Sequence, residues 1–257
     1  MDYNIEEIVE QLRDDNNYYG ELGRRFLSAS DIKTLHNNPL DYGAVAEEDK
    51  SYFLKGDYFH KRVLQPELVK SIPVVDASTR GTKIYKEFVE EHTLEGMPKP
   101  MFLLKKEVDE LEALAWKIEQ NEEFTFALQA DVQPNEIEEP MVGQIFGYWF
   151  KGKADRINRH RGFIADIKTT RSLSSFVSQF EKMGYHAQAY IYQKLFGLPM
   201  RFYVVSKEDG KLGVYDVSKE TLERAEDYIK WALEKMEMYY GENPTEDIGQ
   251  YYEYQLL

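Results

Sequence analysis

Residues 151–168 read KGKADRINRHRGFIADIK, and the fold is decided by how this stretch pairs with itself. Lys151–Asn158 and Phe163–Lys168 are strand-like, and RHRG lies between them. Side chains alternate along a strand, so Phe163, Ala165 and Ile167 share one face and Ile164, Asp166 and Lys168 the other. If Asn158 and Phe163 close the four-residue loop, with Gly162 at positive φ, Arg156 faces Ala165 and Asp155 faces Asp166. Their Cβ atoms would then be about 4.5–5.5 Å apart. Carboxylates that close repel unless something positive lies between them. Hard divalent cations take such oxygen ligands, and Mg²⁺ keeps waters that can react. Lys168, on the same face, could orient such a water or help deprotonate it. The alternative is a surface cluster in which Lys168 only neutralises the pair.

Outward from this hairpin, charge is uneven. The 257 residues carry a net charge of −14, yet residues 151–171 hold seven Lys and Arg against two Asp. An acidic body argues against broad phosphate binding, while one basic stretch can still steer a polyanion to one place. A solvated hairpin is the other reading of the same charges. The length supports a large core, and 42% hydrophobic residues with 19 Tyr and 14 Phe exclude a mainly disordered chain. With no cysteine there is no disulfide, thiolate nucleophile or Cys-ligated metal. The acidic start MDYNIEEIVEQL lacks the layout of a signal peptide, and no apolar run reaches the ~20 residues of a membrane span. A soluble, cytoplasmic protein without membrane contact is expected.

One domain over 1–257 is expected, mainly helical over 1–135 and sheet-containing over 136–257. Helical periodicity covers 4–24, the capped segment LSASDIKTLHNNP, 50–65, 80–95 and the run from Leu104 to Ile118. Ile145–Phe150 reads as the first strand of a three-strand meander completed by the hairpin. Helices at about 173–182 and 185–196, strands at about 200–206 and 211–217, and a helix at about 219–240 follow. This order predicts an α/β (α+β) fold, a central mixed sheet flanked by helices. Two further stretches bear on the site. His60 shares a helical face with Gly56, which would let that helix approach another backbone closely. Tyr185, Gln188 and Tyr192 fall on one stripe of YHAQAYIY. Taken alone, each is more often a satisfied core position. Gly147 to Ala154 matches most of a phosphate-loop pattern, but Ala154 lacks the Mg²⁺-binding hydroxyl and the Tyr-Trp-Phe interior is strand-like.

Together, G-x-x-D (Gly152 to Asp155), D-I-K-T-T (Asp166 to Thr170) and Y-x-x-Q-x-x-x-Y (Tyr185 to Tyr192) resemble the RecB-type branch of the PD-(D/E)XK nuclease superfamily. L-S-x-S with N-P (Leu27 to Pro39), G-x-x-x-H with Q-P-E (Gly56 to Glu67) and RGTKIYKEF at 80–88 are similar to the RecE, or exonuclease VIII, group of phage recombination exonucleases. The resemblance spans residues 27–205 in order.

The resemblance implies a restriction-endonuclease-like core and a Mg²⁺- or Mn²⁺-dependent deoxyribonuclease. It makes His60, Asp155, Asp166 and the Ile167 carbonyl metal ligands. Lys168 becomes the water-positioning or transition-state residue, and Gln188 and Tyr192 position the nucleophile or the DNA backbone. Glu67 matches a recurrent acidic position, although Pro66 should end the helix before it. Lys153, Arg156, Arg159, Arg161 and Arg171 are expected to hold the DNA backbone. The implied reaction is 5′→3′ degradation of linear duplex from its ends, leaving 3′ single strands for an annealing protein, with the enzyme a homo-oligomeric ring. Asn38-Pro39 stands where Cas4- and AddB-type relatives often carry Cys-Pro, so no iron–sulfur cluster is expected. The alternatives are a superfamily nuclease with another substrate (Cas4-like, flap or endonuclease) and a DNA-binding protein that kept the fold without catalysis.

Overall fold

A computed structural model describes residues 4–43, 50–94, 99–129 and 136–252 of the chain. Residues 1–3 of the acidic start and 96–98 of the GMPKP break lie outside them. The N-terminal half is built from α1 (Ile5–Gln11), α2 (Asp15–Tyr18), α3 (Ala29–Asn37), α4 (Lys50–Leu64), α5 (Lys83–Glu91), α6 (Lys105–Glu119) and α7 (Glu122–Leu128). Two short strands, β1 (Val74–Val75) and β2 (Leu103–Leu104), pair in parallel among them. The rest comprises β3 (Glu136–Ile145), β4 (Tyr148–Asn158), β5 (Phe163–Thr170), α8 (Leu173–Gln179), α9 (Tyr185–Phe196), β6 (Met200–Ser206), β7 (Leu212–Asp216) and α10 (Lys219–Tyr240).

Strands β3 to β7 form one sheet in chain order. β5 and β6 are parallel and the other neighbours antiparallel, so the mixed sheet expected from the sequence is present. The connection from β5 to β6 runs through α8 and α9, as a parallel pair requires. On one face, Ile164, Phe202 and Val204 join residues of α3, α9 and α10 in the larger core. On the other, Phe163, Ala165, Ile167, Tyr203 and Val205 pack with α4, α6 and α7. Burying side chains of this size stabilises by roughly 1.5–3 kcal/mol each, which fixes the sheet between two helical layers.

Three expectations change. The run 4–24 is not one helix. Asp14 accepts from the Asn16 N–H at 2.8 Å and starts α2 after a break, and a 3₁₀ turn follows at Gly23–Arg25. Ile145–Phe150 is not a strand either, since it straddles the β3–β4 turn. Phe146 and Gly147 have φ of 53° and 85°, the two successive left-handed residues of a tight hairpin. The first strand is instead β3, an edge strand that tolerates Pro140. Gly56 makes no close approach, because nothing lies within 4 Å of where its Cβ would be.

Candidate active site

The hairpin pairs as expected. Arg156 faces Ala165, Ile157 faces Ile164, Asn158 faces Phe163, and Gly162 has φ 72°. The ladder then stops one step short of Asp155 and Asp166. Beyond it the two strands fork, and side chains replace the missing backbone bonds. Asp155 Oδ2 accepts the Ile167 N–H at 2.8 Å. The Tyr192 hydroxyl accepts from Lys153 N at 3.2 Å and donates to Lys153 O at 3.0 Å. Further along, Leu27 pairs with β4, taking a bond from Lys151 N and giving one to Trp149 O. Gly152 is the residue that lets Tyr192 enter. A Cβ there would stand 3.0 Å from the tyrosine ring and 3.2 Å from Leu195.

Five of the expected side chains converge at this fork. Asp166 is 1% exposed, and its Oδ1 accepts from Gln188 Nε2 at 2.7 Å. Its Oδ2 lies 2.5 Å from Lys168 Nζ. His60, on α4 from the opposite helical layer, brings Nδ1 to 3.4 Å from Asp155 Oδ2. Burial pushes the Asp166 carboxyl up to about 6, with Lys168 pulling it back and Asp155 adding to the rise. Burial disfavours a charged Lys168, but Asp166 and Asp155 outweigh it and hold the ammonium above its ordinary range. Tyr192 stands beside these groups, with its hydroxyl used on the strand.

A residue that sequence reasoning passed over joins them. Glu138 on β3 is level with Asp155, between the paired positions Ile137–Arg156 and Glu139–Ala154. Its Oε1 is 4.0 Å from His60 Nδ1, and burial followed by the charge of Asp155 pushes its carboxyl up to about 8. Donor atoms of His60, Glu138 and Asp155 lie within 4.8 Å of one another. Imidazole nitrogen and carboxylate oxygen are donors that divalent metals accept. Three carboxylates meet at the fork, with Lys168 against Asp166 and the charge of Lys153 near Glu138, so the donor set and the remaining excess of negative charge both fit a divalent cation.

The fork opens into a cavity of about 900 Å³. His60, Ile167, Lys168 and Gln188 form part of its wall, with Lys33, Lys55, Lys151 and Lys207 around it. Lys55 is paired with Glu107 at 2.9 Å, and the Lys151 ammonium donates to the Tyr18 carbonyl at 2.6 Å. Among the described residues, Lys33 and Lys207 have no carboxylate partner. Tyr19 and Phe53 expose aromatic rings at the same cavity.

The basic stretch does not assemble as expected. Lys153 is buried and paired with Asp15, and Arg156 is 3% exposed. Arg159 grips Glu136 at 2.6 and 2.7 Å, and Arg161 bonds Glu123 at 2.9 Å, both in the loop away from the fork. Only Arg171 of the five is exposed near the cavity, lining a smaller adjoining pocket with Thr169 and Lys207. Charge counted along a sequence does not say which cations are already neutralised inside. Glu67 lies exposed beyond the end of α4 and outside the cavity wall.

A mixed sheet between helices, with D-x-K on a strand that forks from its partner, defines a PD-(D/E)XK-like fold. Residues 28–244 match the family described as a PDDEXK-like domain of unknown function (DUF3799), and the chain belongs to that family. Its fold is similar to that of a protein from Eubacterium rectale called a "putative exonuclease". The TM-score is 0.62 at 18% identity, covering 88% of this chain and 85% of that one. The protein SSO0001 is more distant, with a TM-score of 0.39 at 12% identity over 91% and 85% of the two chains. No curated protein matches the sequence. Among the described residues, no helix is long and apolar enough to cross a membrane.

Proposed function

We propose that this protein is a divalent-metal-dependent deoxyribonuclease, acting as an exonuclease on the ends of linear duplex DNA. The observation that carries the reading is the meeting of Asp155, Asp166, Lys168 and His60 at one strand fork, beside a cavity edged with lysines. Family membership supports the class. The sequence resemblance supplies the finer reading, namely 5′→3′ polarity and Mg²⁺ or Mn²⁺ as the ion.

In this reading His60, Asp155, Asp166 and the Ile167 carbonyl hold the cation. When bound, such an ion stabilises charge on phosphoryl oxygens and makes a nearby water more acidic. The chain's own residues do the rest. Asp155 is fixed by the Ile167 N–H, so its oxygens present to the site without reorganising. Gln188 holds Asp166 through one oxygen. Lys168, kept protonated by Asp166 and Asp155, is a preformed positive charge for the phosphorane-like transition state. The cavity lysines hold the backbone by charge, so cleavage is expected to be indifferent to sequence. The product would be a 3′ single strand for an annealing protein, and subunits would close around duplex as a ring, which sedimentation of the purified protein checks.

The deciding experiment compares end-labelled linear duplex with covalently closed circles, with and without Mg²⁺. Nucleotide release from linear DNA alone, abolished by chelation, is the expected result. Nicking of circles would make it an endonuclease, and binding without turnover would leave a DNA-binding protein with an unused site.

A further inference from the structure

Only two non-glycine residues in the described chain have positive φ, Phe146 and Glu138. Phe146 sits in a tight hairpin turn that demands it. Glu138, with φ 51°, sits inside a strand where no turn demands it. The pairing on either side of it is in step, with Ile137 on Arg156 and Glu139 on Ala154, so no inserted residue forces the kink. A left-handed conformation is unfavourable for a residue with a Cβ.

The neighbouring carboxylates of β3 have cationic partners: Glu136 holds Arg159 and Glu139 holds Arg13. Glu138 is directed instead at His60 and Asp155, with 36% of its side chain exposed. Meanwhile one oxygen of Asp166 is taken by Gln188, and the other lies against the Lys168 ammonium without accepting a hydrogen bond. Asp166 also stands outside the group of donors that lie within 4.8 Å of one another.

We propose that Glu138 is a direct ligand of the divalent ion together with His60 and Asp155, drawing the ion toward β3. The inference rests on the metal-dependent reading above and adds a ligand that the resemblance did not supply. The alternative, in which Glu138 only holds His60 from outside the ligand shell, predicts a loss of metal affinity of no more than about 10–100-fold.

The test is Mn²⁺ binding to the full chain without DNA, followed by calorimetry and by the electron paramagnetic resonance of free Mn²⁺. Glu138→Gln should weaken binding by more than about 100-fold, beyond the 10–100-fold that loss of a partner outside the ligand shell costs. Asp57→Asn removes a nearby negative charge that is not a ligand, and should leave affinity within about twofold of wild type. Glu138→Gly separates loss of ligand from loss of fold, because glycine accepts positive φ at no steric cost. Without metal its Tm should equal or exceed that of wild type, while the rise in Tm on adding Mn²⁺ should shrink. Mn²⁺ affinity in Glu138→Gln within about 100-fold of wild type overturns the inference, as does a Glu138→Gly variant still fully stabilised by Mn²⁺. Glu138-dependent Mn²⁺ binding in a protein that cleaves no DNA would sink the nuclease reading and leave the ligand assignment standing. Cleavage with Glu138-independent binding would do the reverse.

Discussion

At the scale of single residues, the Asp166–Lys168 pair sets an asymmetry. Asp166 is buried and Lys168 is 18% exposed at the cavity wall, with Nζ 2.5 Å from Oδ2. Alanine at either position should lower turnover by at least about 10²–10³-fold, the usual cost of removing a charge aimed at a transition state. The two variants should differ in stability. Asp166→Ala removes the larger of the two carboxylate contributions that offset the desolvation of the Lys168 ammonium, and a largely buried charge left uncompensated costs about 3–5 kcal/mol. Lys168→Ala leaves a carboxyl that burial already pushes up to about 6, so taking up one proton near neutrality relieves much of the penalty. Urea unfolding at pH 7 should therefore give a distinctly lower midpoint for Asp166→Ala than for Lys168→Ala. Equal midpoints would mean the pair is not desolvated in the way its burial indicates.

At the scale of elements, the fork between β4 and β5 makes the site, and Tyr192 keeps the fork open. Its hydroxyl satisfies both backbone groups of Lys153 where the ladder has lapsed. Tyr192→Phe leaves a buried N–H and C=O without that partner, at about 1–3 kcal/mol for each group left unsatisfied. Denaturation should show a loss of at least about 1 kcal/mol, and turnover should fall because Asp155 lies two residues further along the same strand. Unchanged stability would show that the strand does not need the hydroxyl. The hairpin was legible in sequence because alternation and Gly162 determine its register. The D-x-K face followed from the same periodicity, and the helices from 3.6-residue spacing. β3 was not legible, since EIEEPMVGQI combines adjacent glutamates with a proline and lacks clean alternation. Glu138 was hidden with it, because its position depends on a backbone kink and on pairing with a strand that local patterns do not identify. The role of Tyr192 was similarly out of reach: spacing gives the stripe on α9, while the use of its hydroxyl depends on where a ladder fails.

At the scale of the whole molecule, electrostatics holds the helical half together and then selects the ligand. Glu107 bonds Arg80 at 2.7 and 2.9 Å, Lys55 at 2.9 Å and the Leu104 N–H at 3.0 Å, tying α4 to α6. Burial alone would raise its pKa, but Arg80, the Leu104 N–H and Lys55 outweigh it and hold it at about 2. A depressed folded pKa means this stabilisation is complete above the ordinary carboxylate range near ~4.3 and fades as pH falls toward about 2. Glu107→Gln should lower the melting temperature at pH 7 and flatten its decline between those limits. A decline as steep as that of wild type would place the acid-sensitive group elsewhere. On the surface, ion pairing likewise decides which cations are free to meet DNA on a chain of net charge −14. Arg159 and Arg161 are taken by Glu136 and Glu123, whereas Lys33, Lys207 and Arg171 border the cavity and its adjoining pocket without a carboxylate partner among the described residues. Each phosphate contact contributes about −0.9 to the slope of log K against log salt on duplex, and about −0.7 on a single strand. Changing Lys33, Lys207 and Arg171 together to Ala should therefore reduce the slope by roughly 2–3 and weaken binding evenly across sequences. Arg159→Ala with Arg161→Ala should leave the slope within about half a unit of wild type. If the loop pair changes the slope and the cavity trio does not, DNA approaches along the hairpin loop and not through the cavity.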